Sequence, residues 1–271
     1  MIYHEPFHFE ANSHHDLPIL ALDADDTTCD TRGWFTGLAV ANGADRKKCL
    51  ACPTLSLTTD LLPQPLQNSA LESATFMKEA KLLPGAAYLF GALAFIEYPH
   101  FVFTHRGYHP KGQEFTQEFF DNALSGPSRH VIALDTTVSK HEFLENLFTH
   151  NGRGNYLLCD DNTHCRRPDG QSTIVHDRWS RTIVVAQPWN GYVEFGATRV
   201  IQVESILRAL LQELHVYAEV RGSKRAKAMY KKLWHYIRTS PYECVNAHEL
   251  EVREHRRLTL TQNPPVGVDV Q

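Results

Sequence analysis

Five short apolar segments set the tightest limit on how this chain can fold. Each is almost continuously apolar, whereas a strand with one face in water alternates apolar and polar residues. Such runs are typical of strands buried on both faces of a parallel sheet. The segments are LPILALD (17–23), HFVFTH (100–105), HVIALD (130–135), NYLLCDD (155–161) and RTIVVAQ (181–187).

Helical patterns lie between most of these predicted strands. They are GAAYLFGALAFIEY (85–98), EFTQEFFDNAL (114–124) and KHEFLENLFTH (140–150). Alternating strands and helices indicate right-handed crossovers and a three-layer α/β fold with a Rossmann-like parallel sheet in the middle. In such folds, ligands bind where the carboxyl ends of the strands meet.

One stretch, residues 28–81, breaks this alternation. It contains helical and irregular segments, among them GWFTGLAVANG, LLPQPLQ and SALESATFMKEAKLL. A structureless loop of this length is uncommon inside a compact domain, so we predict a small, mostly helical insertion. It would form a cap beside Asp23, on a core made of residues 1–27 and 82–195.

Residues 196–271 are predicted to form a helical C-terminal extension. Apolar residues recur with a helical period from Val203 to Leu214, and a second amphipathic helix follows. That helix is basic on one side between Lys224 and Arg238, which is compatible with a solvated face or with a contact for nucleic acid or an acidic partner. Beyond Pro264 we expect a flexible tail.

Composition excludes some classes of protein. A formal net charge of −4 argues against coating nucleic acid by bulk charge. No apolar run reaches the roughly 18 residues that a membrane span needs, and residues 1–15 lack the basic flank and apolar centre of a signal peptide. We therefore predict a cytoplasmic protein with no membrane contact. The 6 cysteines are scattered, which favours reduced thiols; Cys49 and Cys52 have zinc or redox spacing, but no second pair lies nearby.

Acidic residues gather where the first predicted strand ends, at Asp23, Asp25 and Asp26. Because successive strand residues alternate faces, Asp23 and Asp25 are expected to point the same way. Two such carboxylates cannot both stay ionised in a semi-buried site without a cation. Magnesium suits this environment, since it takes hard oxygen ligands from one or two carboxylates together with a substrate phosphate.

The other predicted strands end in groups that complement a phosphate and a metal ion. Thr104 offers a hydroxyl that can donate to a phosphate oxygen. Lys140 begins a helix, where the helix dipole does not favour a cation, so a nearby phosphate explains it better. Asp160 and Asp161 form a second acidic pair. Four strand ends thus each deliver one element of a phosphoryl-transfer site.

These segments resemble the four ordered motifs of the haloacid dehalogenase-like phosphatases. The matching motifs are DADDT (23–27), FVFTHR (101–106), Lys140 and YLLCDDN (156–162). LLPGA before the second motif, and CDDN followed by VVAQPWN, are similar to the 5′(3′)-deoxyribonucleotidase branch, which carries a small helical cap between its first two motifs. The Thr-His-Arg of the second motif departs from that branch, which has a small hydroxyl residue and proline after the threonine.

The resemblance implies roles for the strand-end residues. Asp23 would be the nucleophile that forms an aspartyl-phosphate, and Asp25 would protonate the leaving group and later activate water. Thr104 and Lys140 would hold the phosphoryl oxygens as charge builds on them. Magnesium would be the cofactor, held by Asp23, the Asp25 carbonyl, Asp160 and, in or beside the shell, Asp161.

Contacts to the substrate are less determined by sequence. Trp34 and Phe35 would either stack on a base or pack the cap against the core. His105 and Arg106 follow the second motif's threonine, and Arg106 would be either a phosphate clamp or a solvated arginine at the rim. The favoured hypothesis is a magnesium-dependent phosphatase acting on nucleoside monophosphates. A phosphatase for 3′- or 5′-phosphate ends of nucleic acid and a non-catalytic binding protein are the alternatives.

Overall fold

The computed structural model describes residues 17–52, 54, 56–124, 130–150, 153–162, 164–166, 172–174, 181–187, 190 and 198–242. The expected flexible tail beyond Pro264 lies outside these residues. The strands, in chain order, are β1 (Ile19–Leu22), β2 (His100–Thr104), β3 (Val131–Ala133), β4 (Thr149–His150), β5 (Arg153–Gly154), β6 (Tyr156–Asp160), β7 (His164–Arg166), β8 (Ser172–Ile174), β9 (Thr182–Val185) and β10 (Thr198–Val200).

Six of these strands form one sheet in the order β10-β9-β6-β1-β2-β3, and every neighbouring pair is parallel. This confirms the predicted α/β fold with a parallel sheet, and all five predicted strands belong to it. β10, at the edge, was not predicted, because three residues are too few to show an apolar run. The short antiparallel pairs β4–β5 and β7–β8 were not predicted either.

Helices lie in the connections from β1 to β2, from β2 to β3 and from β3 to β6, and two more follow β10. They are α1 (Thr31–Ala41), α2 (Arg46–Ala51), α3 (Gln64–Ser73), α4 (Phe76–Glu79), α5 (Ala86–Phe95), α6 (Gly112–Ala123), α7 (Lys140–Phe148), α8 (Ile206–Glu219) and α9 (Lys224–Thr239). Four of them, α1 to α4, lie between β1 and α5, in the stretch predicted to be helical. The division into core, cap and extension at the stated boundaries stays a prediction. Within the described residues, no helix is long and apolar enough to cross a membrane.

The central strand β1 separates two apolar layers. Its alternate residues Leu20 and Leu22 belong to one buried cluster, and Ile19 and Ala21 belong to another. Because strand residues alternate faces, these clusters lie on opposite sides of the sheet. The first contains side chains from α5, α6, α8 and α9, and the second contains Leu144 of α7. The result is helix layers on both faces of the sheet.

The two C-terminal helices complete the first of these layers. Leu210 of α8 is fully buried in the same cluster as β1, and Met229 and Leu233 of α9 are buried there too. Trp234, next to Leu233 in α9, is 48% exposed. Lys231 and Lys232 on the basic side are exposed.

The stretch between β1 and α5 has small apolar clusters of its own. Cys49 and Cys52 are buried free thiols and pack with Ala39 and Leu62. A second cluster, centred on Phe76 and Met77 of α4, also contacts Trp34, Phe35 and Phe115. Phe115 lies in α6, so this second cluster joins the helices that follow β1 to a helix of the main sheet layer.

Truncating Leu210 to alanine tests whether α8 is part of the main core. We expect Leu210→Ala to lower the free energy of unfolding by about 2–5 kcal/mol, because the variant loses buried apolar area and leaves a cavity. Val216→Ala on the same helix is the matched control, since Val216 is 44% exposed, and it should change stability by no more than about 0.5 kcal/mol. Chemical denaturation measures both, and equal effects would contradict a buried α8.

Candidate active site

The site lies in the crevice between β1 and β6. From β1 the chain runs outward through β2 to β3 and then returns to β6, on the other side of β1. This change of direction is the topological switch point at which parallel α/β sheets bind ligands. Asp23 directly follows β1 and its backbone N–H donates to Cys159 O at 2.9 Å, which aligns Asp23 with Asp160 at the end of β6.

A tight loop after β1 holds Asp23 in place. The Thr28 hydroxyl donates to Asp23 O at 2.8 Å, and Cys29 N donates to Ala24 O at 2.7 Å. Asp26 adopts the left-handed backbone conformation, with φ of 53°, and its carboxylate accepts the N–H of Arg32 at 2.7 Å. The loop therefore reverses the chain within a few residues and leads straight into α1.

Three buried carboxylates meet at this switch point. Asp23, Asp160 and Asp161 each offer an oxygen, and these oxygens lie within 4.8 Å of one another. Lys140, the first residue of α7, reaches into the cluster: its Nζ lies 2.7 Å from Asp23 Oδ1 and 2.8 Å from Asp160 Oδ2. Two buried carboxylates thus share one ammonium. An all-oxygen donor set with this surplus of negative charge could bind a metal ion.

Electrostatics reflects the crowding of these charges. Burial raises the pKa of Asp23 to about 7, with Lys140 opposing the rise and the neighbouring carboxylates of Asp160 and Asp25 adding to it. Burial alone would lower the pKa of Lys140, but the charges of Asp160 and Asp23 outweigh it and raise that pKa. Lys140 is therefore a stable ammonium, whereas Asp23 depends on nearby positive charge to stay ionised.

Asp25 has a different set of partners. Arg106 binds it with two nitrogens, Nη2 to Oδ1 at 2.7 Å and Nε to Oδ2 at 3.0 Å. The hydroxyl of Thr31 donates to Oδ1 at 2.6 Å, and that of Thr104 lies 3.4 Å from Oδ2. Burial would raise the pKa of Asp25, but the charge and hydrogen bonds of Arg106, together with the Thr31 hydroxyl, hold it below its ordinary value.

Residues after β9 support the backbone of the acidic loops. Asn190 Nδ2 donates to Asp161 O at 2.7 Å and to Val185 O at 2.8 Å. Gln187 Nε2 donates to the carbonyl of Asp26. Sequence reasoning did not assign these two amides a role, although both lie in the VVAQPWN segment quoted for its resemblance.

A cavity of about 290 Å³ opens onto the acidic cluster. Asp23, Asp25, Asp161, Lys140 and His105 line one part of it. The remainder comes mostly from the helices and loops after β1, and these residues are Asp26, Thr31, Arg32, Phe35, Ser56, Leu57, Leu62, Gln67, Leu71 and Phe76, with Tyr108, Thr136 and Asn162. The sheet end and the helical stretch therefore enclose the cavity together.

The four side chains suggested for substrate contact lie in different places. Phe35 and His105 line the cavity. Trp34 lies outside the lining: its ring packs against Phe35 and its Nε1 donates to Glu79 Oε2 at 3.1 Å. Arg106 also lies outside the lining and is buried against Asp25. Of the six predicted catalytic and metal-binding residues, four meet at the switch point: Asp23, Lys140, Asp160 and Asp161. Asp25 lines the cavity beside them. Thr104, fully buried at the end of β2, lies outside the lining and contacts Asp25.

Comparisons with known proteins add little to this geometry. No protein-family model matches the sequence, and no curated protein matches it. Among solved structures, the crystal structure of a HAD family hydrolase from Deinococcus radiodurans, with bound phosphate and sodium, aligns with a TM-score of 0.40 at 13% identity. The alignment covers 74% of this chain and 97% of that one. A similarity at this level carries no functional argument. The fold and the site by themselves define a class: a parallel α/β protein with clustered buried carboxylates at its switch point.

The histidine in the cavity wall makes stability depend on pH. Burial, together with the charge of Lys140, lowers the pKa of His105 from 6.5 to about 4, so protonation opposes folding. Stability from this group is complete above pH 6.5 and is lost as the pH falls toward 4. As the pH falls from 6.5 toward 4, the free energy of unfolding should decrease less in His105→Gln than in the unmodified protein. Denaturation at a series of pH values measures this, and parallel curves would contradict the assignment.

Proposed function

We propose that the protein is a haloacid dehalogenase-like, magnesium-dependent phosphatase that hydrolyses small phosphomonoesters through an aspartyl-phosphate. The observation that carries this proposal is the placement of Asp23: a buried carboxylate beside the ammonium of Lys140, next to Asp160 and Asp161, facing a cavity. A nucleophile, a phosphate-binding cation and metal-binding oxygens in one place are the parts that phosphoryl transfer needs.

The acidic cluster fits magnesium by its chemistry. Its donors are all oxygens, and Lys140 leaves one charge of the Asp23 and Asp160 pair uncompensated. Asp23, Asp160 and Asp161 would hold the ion, with the carbonyl of Asp25 as a further ligand implied by the family resemblance. When bound, magnesium screens the repulsion between a carboxylate and a phosphate dianion and polarises the phosphoryl group.

In the first half-reaction, Asp23 attacks phosphorus. Lys140 holds Asp23 Oδ1, which leaves Oδ2 as the attacking atom. A bond forms from Oδ2 to phosphorus, the bond from phosphorus to the leaving oxygen breaks, and that oxygen takes a proton from Asp25. The negative charge of the bound phosphate opposes the effect of Arg106 and favours the protonated form of Asp25 at this step. Lys140 stabilises the charge on the phosphoryl oxygens, and the family resemblance implies the same role for Thr104.

In the second half-reaction, water attacks the phosphorus of the aspartyl-phosphate. Asp25, ionised beside Arg106, accepts a proton from the water, the bond between phosphorus and Asp23 breaks, and inorganic phosphate leaves. The proton that Asp25 has gained protonates the leaving group of the next substrate molecule. Protons therefore balance over a complete turnover.

The cavity supports a small substrate with an apolar face. Its volume of about 290 Å³ is near the lower end of the range for ligand sites. Phe35, Leu62 and Phe76 are among the lining residues, and their apolar side chains suit the planar base of a nucleoside monophosphate. The finer proposal is therefore a 5′-nucleotidase for nucleoside or deoxynucleoside monophosphates, with Phe35 against the base, acting in the cytoplasm.

Replacing the nucleophile tests the proposed reaction. We expect Asp23→Asn to lose phosphatase activity to background while remaining folded, because an amide oxygen does not form the acyl-phosphate. Asp121→Asn, an exposed substitution on α6, should keep the unmodified rate. The assay measures phosphate release from mononucleotides, sugar phosphates and a phosphorylated oligonucleotide.

The substrate panel also separates the alternatives. Turnover confined to the oligonucleotide would favour a nucleic-acid end phosphatase, and no turnover of any substrate would favour a binding protein. Equal activity of Asp23→Asn and the unmodified protein would overturn the nucleophile assignment.

Metal removal tests the magnesium site separately from the nucleophile. Chelation should abolish activity reversibly, and added Mg²⁺ should restore it. Asp160→Asn should weaken Mg²⁺ binding by roughly 10-fold or more, because even residues that only hydrogen-bond to metal ligands contribute that much. Calorimetry on metal-free protein, after removal of the chelator, measures this affinity. Asp121→Asn should bind Mg²⁺ like the unmodified protein. Unchanged affinity in Asp160→Asn would exclude this cluster as the site.

A further inference from the structure

Arg106 is a buried arginine whose hydrogen bonds are all made within the protein. Its side chain is 1% exposed, and it follows β2 by two residues. A guanidinium has five N–H donors. Here Nε contacts Asp25, Nη2 contacts Asp25 at 2.7 Å and Thr31 at 3.4 Å, and Nη1 contacts Met77 O and Thr116 Oγ1, both at 3.3 Å. Each donor thus has a protein acceptor, and none is left for a substrate.

These contacts join three parts of the molecule. Thr31 begins α1 and Met77 lies in α4, so both belong to the helical stretch after β1. Thr116 lies in α6, which packs on the main sheet. Phe76 of α4 also packs near the guanidinium, whose central carbon lies 5.5 Å from the ring centroid. Arg106 therefore connects the helices that enclose the cavity to the sheet that carries the reactive carboxylates.

We propose that Arg106 is a positioning residue for Asp25: it fixes the direction in which the Asp25 carboxylate faces the cavity, and it makes that direction depend on the packing of α1 and α4. The inference rests on the proposed function, in which Asp25 moves the proton. Two nitrogens on the two carboxylate oxygens fix the plane of the carboxylate as well as its position. Asp25 also lines the cavity, so a water molecule in the cavity can reach its carboxylate. A fixed carboxylate orientation then determines how that water molecule is aligned.

The effect on the reaction falls on a specific step. Once the phosphoryl group is on Asp23, Asp25 must accept a proton from a water molecule aligned with phosphorus. A displacement of about 1 Å in such a group can cost roughly 100-fold in rate. Formation of the aspartyl-phosphate from a nitrophenyl ester depends little on Asp25, because nitrophenolate leaves without a proton. Loss of Arg106 should therefore slow the second half-reaction more than the first.

Rapid mixing with 4-nitrophenyl phosphate tests this proposal. For Arg106→Met we expect a burst of nitrophenolate near one equivalent per enzyme, followed by a steady-state rate lower by roughly 100-fold. Acid quenching should trap the phosphoenzyme, seen as the added mass of one phosphoryl group on the intact protein. Asp25→Asn should give the same signature. Arg106→Lys keeps the charge without the paired hydrogen bonds, and should give a smaller effect of the same kind.

A merely structural role gives a different result. If burst and steady-state rate fall in the same proportion and no phosphoenzyme accumulates, the proposal is overturned. Thr31→Val, which removes the hydroxyl shared by Asp25 and Arg106, decides the question if Arg106→Met does not fold: it should show the same signature to a smaller degree, and its absence would count against the proposal. Failure of the proposed function looks different again, because the unmodified protein would then release no nitrophenolate.

Discussion

The ammonium of Lys140, shared between Asp23 and Asp160, is the interaction on which the rest of the site depends. Burying charges is costly unless they are paired with good geometry, and here two carboxylates from neighbouring strands are held by one lysine. The residue after this lysine, His141, anchors the start of the helix to the sheet. Its Nδ1 lies 2.9 Å from Tyr156 OH and its Nε2 lies 3.2 Å from Thr182 Oγ1. The start of α7 is thus attached to β6 and β9, and the ammonium is fixed where the strands end.

The arrangement has a simple electrostatic logic. Asp25 has a cation of its own in Arg106, whereas Asp23 and Asp160 share theirs. The surplus negative charge is therefore confined to the crevice between β1 and β6. A divalent cation and a phosphoryl group are complementary to that crevice in different ways, the first to the carboxylates and the second to the lysine.

Most of the sheet and the positions of the acidic residues could be predicted from sequence, because both follow from local rules. Continuous apolar runs are typical of buried parallel strands, and the carboxyl ends of such strands must meet at one edge. This brings Asp23 near Asp160 without knowledge of any distant contact. β10 escaped prediction because three residues at a sheet edge carry almost no pattern.

The parts that sequence left open depend on contacts between distant segments. Asp25 follows β1 and Arg106 follows the neighbouring strand β2, so the same rule brings both to one edge of the sheet. The sequence does not show whether Arg106 turns toward Asp25, toward a substrate or toward solvent, and the structure shows that it pairs with Asp25. Trp34 and Phe35 are adjacent in α1, and consecutive helix residues point about 100° apart. Only one of the two rings therefore faces the cavity, and the choice depends on how α1 packs against α4.

The burial of α8 and α9 has a consequence for the order in which the protein is made. Leu20 and Leu22 are synthesised well before Leu210 and Leu233, which share their apolar layer. Until α8 and α9 have been made, α5 and α6 cover only part of that layer, and exposed nascent apolar surface is prone to association. α8 and α9 complete this layer, so a chain that stops before α8 would retain the chemistry-bearing residues but lack part of the cover of its core.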